Sequence, residues 1–254
     1  MFIDAHSHVH VNNFDADREQ VIARAQAAGV SKIIEVGFDS EGIFKALALA
    51  KKHDWIFATA GIHPHLASEW NDNIASKIRK LAKTEDRIVA IGETGLDYFK
   101  NFQPRDLQQK VFHEQLKIAI EVGLPVIIHC RDAYKDLFSI LDEEKFSGRV
   151  LLHCFTGTMQ EAEEGISRGY FIAFTGVITY PSAKNLREIA EKIPLDRILI
   201  ESDCPFLAPQ SQRGKRNEPS FVPEIYKEIA RIKNMPIEKL ADEVTKNVSG
   251  FFGI

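Results

Sequence analysis

The chain of 254 residues has few cysteines, no excess of positive charge and no long apolar run. Three cysteines are an odd number, which argues against a disulfide framework. The formal net charge of −4 excludes a globally basic protein, so a nucleic-acid contact has to come from a local patch or a bound metal. No apolar stretch approaches the ~20 residues of a membrane span. The N-terminus starts on a strand-like segment rather than a basic and then apolar one, so we expect no signal peptide and a cytoplasmic location.

Strand-like and helix-like segments alternate eight times along the chain. The strand-like segments read FIDAHSH, SKIIEVG, WIFATAGIHP, RIVAIGETG, LPVIIHC, GRVLLHC, YFIAFTG and DRILIES. Apolar periodicity and stop signals predict helices between them over 17–28, 40–53, 71–83, 104–122, 133–141, 159–167 and 183–192. Two further helices are predicted over 221–233 and 237–248, after a polar loop over 205–219.

This alternation indicates a parallel sheet with right-handed crossovers. Eight such units in about 250 residues predict an α/β protein with one (β/α)8 TIM barrel across residues 1–254. An open doubly wound sheet is the alternative. The first strand is not followed by a glycine-rich dinucleotide or phosphate loop, which disfavours that alternative.

Six residues with metal-binding side chains fall at the C-terminal ends of five predicted strands. TIM-barrel active sites lie at this end of the strands. Four histidines and two carboxylates can hold two divalent cations, and such a pair can generate hydroxide near neutral pH and clamp a phosphate or carbonyl oxygen. A lone histidine at a strand end is usually a hydrogen-bonded core or surface residue, but the joint pattern predicts a hydrolase with two divalent ions (Mg, Mn or Zn). The predicted ligands are His6, His8, Glu93, His129, His153 and Asp203.

Neighbouring residues are candidates for supporting roles. His63, after the third strand, is a candidate for substrate contact, whereas His65 reads as a loop residue. Arg131 lies two residues after His129 and could reach an anionic oxygen or form a surface ion pair. Asp4 and Glu201 share the inward parity of the ligands, so they could orient the site or fill the barrel.

The polar loop carries a basic run, QRGKRNEP, directly after the strand that leads to Asp203. Such a run is most often a solvated loop, but its position predicts phosphate binding by Arg213, Lys215 and Arg216. Few aromatic residues stand out as base-stacking platforms. The candidates follow the fourth strand and are Tyr98, Phe99 and Phe102.

Seven motifs spread over essentially the whole chain resemble the TatD family of metal-dependent deoxyribonucleases, a branch of the amidohydrolase-like barrels. They are IDAHSH, GIHPH, AIGETGLDY, PVIIHCRDA, HCFTG, ESDCPFLAP and RGKRNEP. The resemblance implies a (β/α)8 barrel, a two-metal centre and hydrolysis of phosphodiesters in DNA or another nucleic acid, often by 3′-to-5′ exonuclease action. No obligate protein partner is evident.

The resemblance also implies a division of the ligands between the two ions. One ion would be held by His6, His8, Glu93 and Asp203, and the other by Glu93, His129 and His153. Glu93 stands where some members of the wider superfamily carry a carboxylated lysine, which favours the TatD branch. Ser202 and Cys204 stand where many relatives have Thr and Ala, and both changes leave Asp203 intact.

We expect Asp203 and Glu93 to be the catalytic carboxylates. Asp203 would hold a metal and accept the proton of the nucleophile, and Glu93 would bridge the ions. The second ion, with Arg131 or the basic loop, would neutralise the phosphoryl oxygens.

Two other function classes remain open. One is a metal-dependent hydrolase of a small-molecule amide, ester or lactone, or an aminoacyl-tRNA deacylase. The other is a non-enzymatic scaffold that holds structural metal. Six ligands over two ions leave coordination positions for water, which disfavours the scaffold.

Overall fold

A computed structural model describes residues 1–254. Eight strands, β1 to β8, form one sheet in the order of the chain, and they pair in parallel. Their bounds are Phe2–Ser7, Val30–Gly37, Ile56–Ala60, Ile88–Asp97, Val126–Arg131, Val150–Leu152, Phe171–Phe174 and Ile198–Ile200.

Helices follow the strands where the sequence predicts them. Each begins within two residues of its predicted start, because capping and apolar periodicity are local signals. The last helix runs four residues further than predicted, since Phe251 and Phe252 continue its buried face. Helices α1 to α9 span Arg18–Ala27, Gly42–Lys52, Asp72–Thr84, Arg105–Val122, Tyr134–Glu143, Met159–Ser167, Lys184–Lys192, Val222–Ile232 and Ile237–Phe252.

The ends of β1 and β8 are joined by backbone hydrogen bonds. The N–H of Asp203 donates to the carbonyl of His6 at 2.9 Å, and the N–H of His8 donates to the carbonyl of Cys204 at 2.9 Å. The first and last strands of the sheet therefore meet. This closure, the parallel order and the alternating helices confirm the (β/α)8 barrel and leave no place for an open doubly wound sheet.

Two compact units can be distinguished along the chain. The first comprises Met1–Glu35 and Cys154–Ile254, and the second comprises Val36–His153. Large apolar side chains are fully buried in each, for example Phe14 and Phe251 in the first unit and Ile62 and Phe112 in the second. The prediction of a single domain over residues 1–254 stays a prediction. None of the helices has the length and apolar character needed to cross a membrane.

Tyr226 ties α8 to the first strand within the first unit. Its buried hydroxyl donates to the carbonyl of Ile3 at 2.9 Å and accepts from the N–H of Ile3 at 3.1 Å. This single side chain therefore satisfies both backbone groups of Ile3, a residue of the strand that carries His6.

We predict that Tyr226→Phe lowers the free energy of unfolding by about 1–3 kcal/mol, since it leaves two buried backbone groups of Ile3 without a partner. Chemical denaturation measures this loss. Tyr180→Phe is the matched control, because it removes one hydrogen bond from a half-buried hydroxyl to the carbonyl of Ala208. A loss for Tyr226→Phe no larger than for Tyr180→Phe would contradict the prediction.

Candidate metal centre

Three predicted ligands of the first unit converge on one point. Nε2 of His6 lies 3.1 Å from Nε2 of His8. Oδ1 of Asp203 lies 3.9 Å from the former and 3.5 Å from the latter. Ligands about 2.0–2.1 Å from a tetrahedral zinc are about 3.3 Å apart. The three atoms, here called the first-unit cluster, therefore have spacings that fit one divalent ion.

Asp203 is held in place by the turn that follows β8. Its φ of 55° lies in the left-handed region, which Asp and Asn tolerate better than most residues. Asn217 fastens this turn, because its side-chain amide donates to the carbonyls of Ser202 at 2.7 Å and Phe206 at 2.6 Å. The loop predicted over 205–219 therefore positions a ligand as well as carrying basic residues.

Two further carboxylates of the first unit bind backbone groups near these ligands. Oδ1 of Asp4 accepts from the N–H of Ser202 at 2.7 Å, and Oε1 of Glu201 accepts from the N–H of Cys154 at 2.6 Å. Burial raises the pKa of Asp4 to about 8, although hydrogen bonds from Ser202 act in the opposite direction. Asp4 thus shapes the backbone beside Asp203, in agreement with a supporting role.

In the second unit, three imidazoles surround one oxygen of Glu93. Oε1 of Glu93 lies 3.2 Å from Nε2 of His63, 3.2 Å from Nδ1 of His129 and 3.5 Å from Nε2 of His153. Glu93 belongs to β4 and His129 to β5, and His153 directly follows β6. These four residues, here called the second-unit cluster, bring together the three predicted ligands of this unit and the predicted substrate contact His63.

Asp97 is a residue of this site that the sequence reasoning missed. Its Oδ2 lies 3.0 Å from Nε2 of His129 and 2.7 Å from Nε2 of His65. Its other oxygen accepts from the N–H of Lys100 at 2.7 Å. The signal was present, because Asp97 lies four residues after Glu93 on one strand and so shares its parity.

The Asp97 contact fixes how His129 presents its ring. If Nε2 of His129 donates to Asp97, Nδ1 is the nitrogen on the side of Glu93, and it can offer a lone pair to a metal ion once it has lost its own proton. Such carboxylate–histidine pairs orient metal-binding imidazoles in many proteins. His65, which the sequence reasoning treated as a loop residue, shares the same carboxylate, and its ring lies among those of His63 and His129.

Burial and charge set the protonation of this unit. Burial lowers the pKa of His63 to about 4, although the neighbouring Glu93 acts in the opposite direction. His63 is therefore neutral near pH 7. Burial is the largest single effect on both His129 and Asp97, and alone it would lower the pKa of His129 and raise that of Asp97. Several hydrogen bonds together outweigh it: Asp97 and Glu93 raise the pKa of His129, and His129, His65 and the N–H of Lys100 lower the pKa of Asp97.

The cations predicted to contact the substrate differ in their exposure and in their contacts with other side chains. Arg131 is exposed, and its guanidinium carbon lies 3.9 Å from the ring centroid of Phe99. Arg213 and Lys215 are exposed on the loop after β8. Arg216 is half-buried and pairs with Asp17 of the first unit at 2.7 Å. The structure therefore gives Arg216 a role in the fold, and all four phosphate contacts stay predictions.

Comparison with known proteins identifies the family. Residues 3–253 match the family model described as TatD related DNase. The chain belongs to this family. It is 42% identical over 255 residues to the metal-dependent hydrolase YabD of Bacillus subtilis, with all of both chains covered. It is 44% identical over 227 residues to the 3′-5′ ssDNA/RNA exonuclease TatD of Cronobacter sakazakii, with 87% of this chain and 86% of the relative covered.

A solved structure supports the same assignment. The TatD homologue YJJV of Escherichia coli superimposes with a TM-score of 0.94 at 31% identity, covering 100% of this chain and 98% of that one. Membership in the TatD-related DNases confirms the resemblance seen in the motifs and makes this protein a metal-dependent hydrolase. It also confirms the (β/α)8 fold class.

In this TatD-related protein we predict that Asp97→Asn lowers metal affinity about 10–100-fold, the usual effect of losing a carboxylate that orients a ligand. The side-chain amide of asparagine has only one acceptor oxygen. Its NH2 group must therefore replace either the oxygen that accepts from Lys100 or the oxygen that faces the imidazoles of His65 and His129. Competitive titration of the metal-free protein against a chromophoric chelator measures the affinity. Asp106→Asn, an exposed carboxylate on α4, is the control. Equal affinities for the two variants would contradict the prediction.

Proposed function

We propose that this protein hydrolyses phosphodiester bonds of single-stranded nucleic acid from the 3′ end. The observation that carries the proposal is the convergence of His6, His8 and Asp203 within 3.1–3.9 Å, in a chain of the TatD-related DNase family. The 3′-to-5′ direction and the single-stranded substrate follow the name of the Cronobacter relative. A cytoplasmic location, predicted from the sequence, belongs to the same proposal.

The donor atoms fit divalent cations. We infer that His6, His8 and Asp203 hold one ion, and that Glu93, His129 and His153 hold a second. When bound, such ions would lower the pKa of water and neutralise charge on phosphoryl oxygens. Imidazole suits Zn and carboxylate suits Mg or Mn, so the mixed donors keep these three metals as candidates.

The side chains of the protein supply proton transfer and positioning. Water attacks phosphorus in line, the new O–P bond forms, and the bond from phosphorus to the 3′ oxygen breaks. The carboxylate of Asp203 accepts the proton from the attacking water. The departing 3′ oxygen takes a proton from solvent, and the terminal nucleotide leaves with the phosphate on its 5′ side.

His63 belongs to this proposal as a substrate contact. Its Nδ1 accepts from the N–H of His65 at 3.0 Å. In the neutral ring the proton is therefore on Nε2, which lies 3.2 Å from Oε1 of Glu93, so a phosphoryl oxygen would have to take the place of this carboxylate as acceptor. Arg131, Arg213 and Lys215 are exposed cations that can meet the neighbouring phosphates.

A matrix of metals and substrates tests the proposed function. Metal-free protein is supplied with Mg, Mn, Zn, Co or Ni and tested on end-labelled single- and double-stranded DNA, RNA and a panel of small esters, lactones and amides. We expect shortening of single strands from the 3′ end with at least one ion, and none in excess chelator. Turnover confined to the small-molecule panel would overturn the proposal in favour of a small-molecule hydrolase.

We predict that Asp203→Asn lowers kcat on single-stranded DNA by on the order of 100-fold or more, since it removes a proton acceptor and a charged ligand. Asparagine tolerates the left-handed φ of this position, so the fold should survive. Circular dichroism checks the fold, and Asp242→Asn, an exposed carboxylate on α9, is the control. Retention of more than about a tenth of the activity is inconsistent with the role of a proton acceptor.

The basic loop gives a separate prediction. Arg213→Ala with Lys215→Ala should raise KM for single-stranded DNA and reduce the slope of log KM against log salt by about 0.7 for each lost phosphate contact. Lys239→Ala with Lys246→Ala removes the same charge from exposed positions on α9 and should leave the slope unchanged. Arg216 is left out of the double variant, because Arg216→Ala would break the ion pair with Asp17 and lower the stability of the fold. Equal slopes for both double variants would contradict phosphate binding by this loop.

A further inference from the structure

Two phenylalanines of the second unit lie largely in solvent directly after β4. Phe99 is 56% exposed and Phe102 is 64% exposed. The two rings lie three residues apart on one short connection between β4 and α4. Exposed aromatic rings on one connection beside a candidate active site are a typical feature of ligand-binding surfaces.

Cations accompany the aromatic rings of this connection. The guanidinium carbon of Arg131 lies 3.9 Å from the ring centroid of Phe99, and Nζ of Lys100 lies 5.9 Å from it. The guanidinium carbon of Arg105 lies 4.3 Å from the ring centroid of Tyr98. A surface that combines aromatic rings with positive charge fits a ligand in which planar groups alternate with anionic groups. A single strand of nucleic acid, with its bases and phosphates, is such a ligand.

The connection is joined to the second-unit cluster and is held firmly. The ring centroid of Phe102 lies 4.8 Å from that of His65, which shares Asp97 with His129. The N–H of Lys100 donates to Asp97. The N–H of Tyr98 donates to the carbonyl of Arg131 at 2.9 Å. These bonds hold the backbone that carries the rings in place before a ligand arrives, which reduces the entropy cost of binding.

We propose that Phe99 and Phe102 form a base-stacking platform for a single-stranded nucleic acid, and that Arg131 and Lys100 bind the phosphates of the stacked nucleotides. The proposal rests on the proposed function, because it names the surface that binds the substrate of the same site. Stacking on a ring tolerates every base, since each base has a flat π-face. Such a platform therefore suits an enzyme that shortens strands of any sequence.

Charge argues against a protein partner for this surface. A hydrophobic protein interface would need a contiguous apolar patch, and lysine, such as Lys100 here, is depleted from such interfaces. Here cations lie against or near the aromatic rings. An anionic ligand with planar groups satisfies both features at once.

Two substrates that differ only in their bases test the platform. One is a single-stranded thymidine oligonucleotide, and the other is an oligonucleotide of the same length whose nucleotides are abasic tetrahydrofuran spacers. We predict that Phe99→Leu and Phe102→Leu each raise the ratio of KM for the thymidine strand to KM for the abasic strand about tenfold, in the range expected for one stacked base. Leucine keeps apolar volume at each position and removes the ring.

Phe44 supplies the matched control in the same unit. Its ring on α2 is 42% exposed and has Nζ of Lys77 5.8 Å from its centroid. Phe44→Leu should leave the KM ratio unchanged. A ratio unchanged by both platform variants would overturn the proposal. An equal rise of KM for both substrates would also overturn it, because the rings would then act on the backbone or the fold.

Fluorescence separates this proposal from the proposed function. In Phe102→Trp a stacked base should quench the added indole, and the abasic strand should not, after subtraction of the signal of the wild-type protein. Quenching by thymidine strands in a protein that hydrolyses no nucleic acid would support the platform and contradict the proposed function. Hydrolysis without quenching, together with an unchanged KM ratio, would support the proposed function and overturn the platform.

Discussion

The backbone hydrogen bonds between the ends of β1 and β8 are the constraint on which the first-unit cluster depends. His6 and His8 lie near the start of the sequence, whereas Asp203 lies in its last quarter. The N–H of Asp203 donates to the carbonyl of His6, so the same bond that joins the strands sets the aspartate beside the imidazole. The hydrogen bonds that close the sheet therefore also assemble the ligands, and a sheet that stayed open would not bring Asp203 to His6 and His8.

Burial makes the two clusters electrostatically demanding. A buried carboxylate needs compensation by hydrogen bonds or positive charge. In the second unit Glu93 and Asp97 receive it from imidazoles, and His129 is shared by both carboxylates through its two ring nitrogens. In the first unit two Nε2 atoms lie 3.1 Å apart, where at most one proton fits between them. A cation at the first-unit cluster would replace that proton and offset the charge of Asp203. The arrangement therefore favours a bound metal ion over two buried imidazoles that share one proton.

Much of the fold could be predicted from the sequence, because its signals are local. Alternating segments, helix caps and the parity of residues on strands place His6, His129 and Glu93 at strand ends without any knowledge of tertiary contacts. What was missed depends on distant partners. The sequence predicts His65 only as a loop residue. In the structure it lies in the turn over Pro64–Glu69, and its Nε2 contacts the carboxylate of Asp97. The ion pair of Arg216 with Asp17 likewise joins residues far apart in the sequence, while phosphate binding by Arg216 stays a prediction.

The loops after the strands carry the features that separate a nuclease from other hydrolases on this fold. A barrel with imidazole and carboxylate ligands can activate water for phosphate or carbonyl chemistry, so the metal centre by itself leaves the substrate open. Substrate choice is then a property of the connections, which carry binding groups on a rigid scaffold. In this chain the connection after β4 has exposed rings with cations against them, and the loop after β8 has exposed Arg213 and Lys215. A neutral small ester would use neither feature, whereas a polyanion with flat bases would use both.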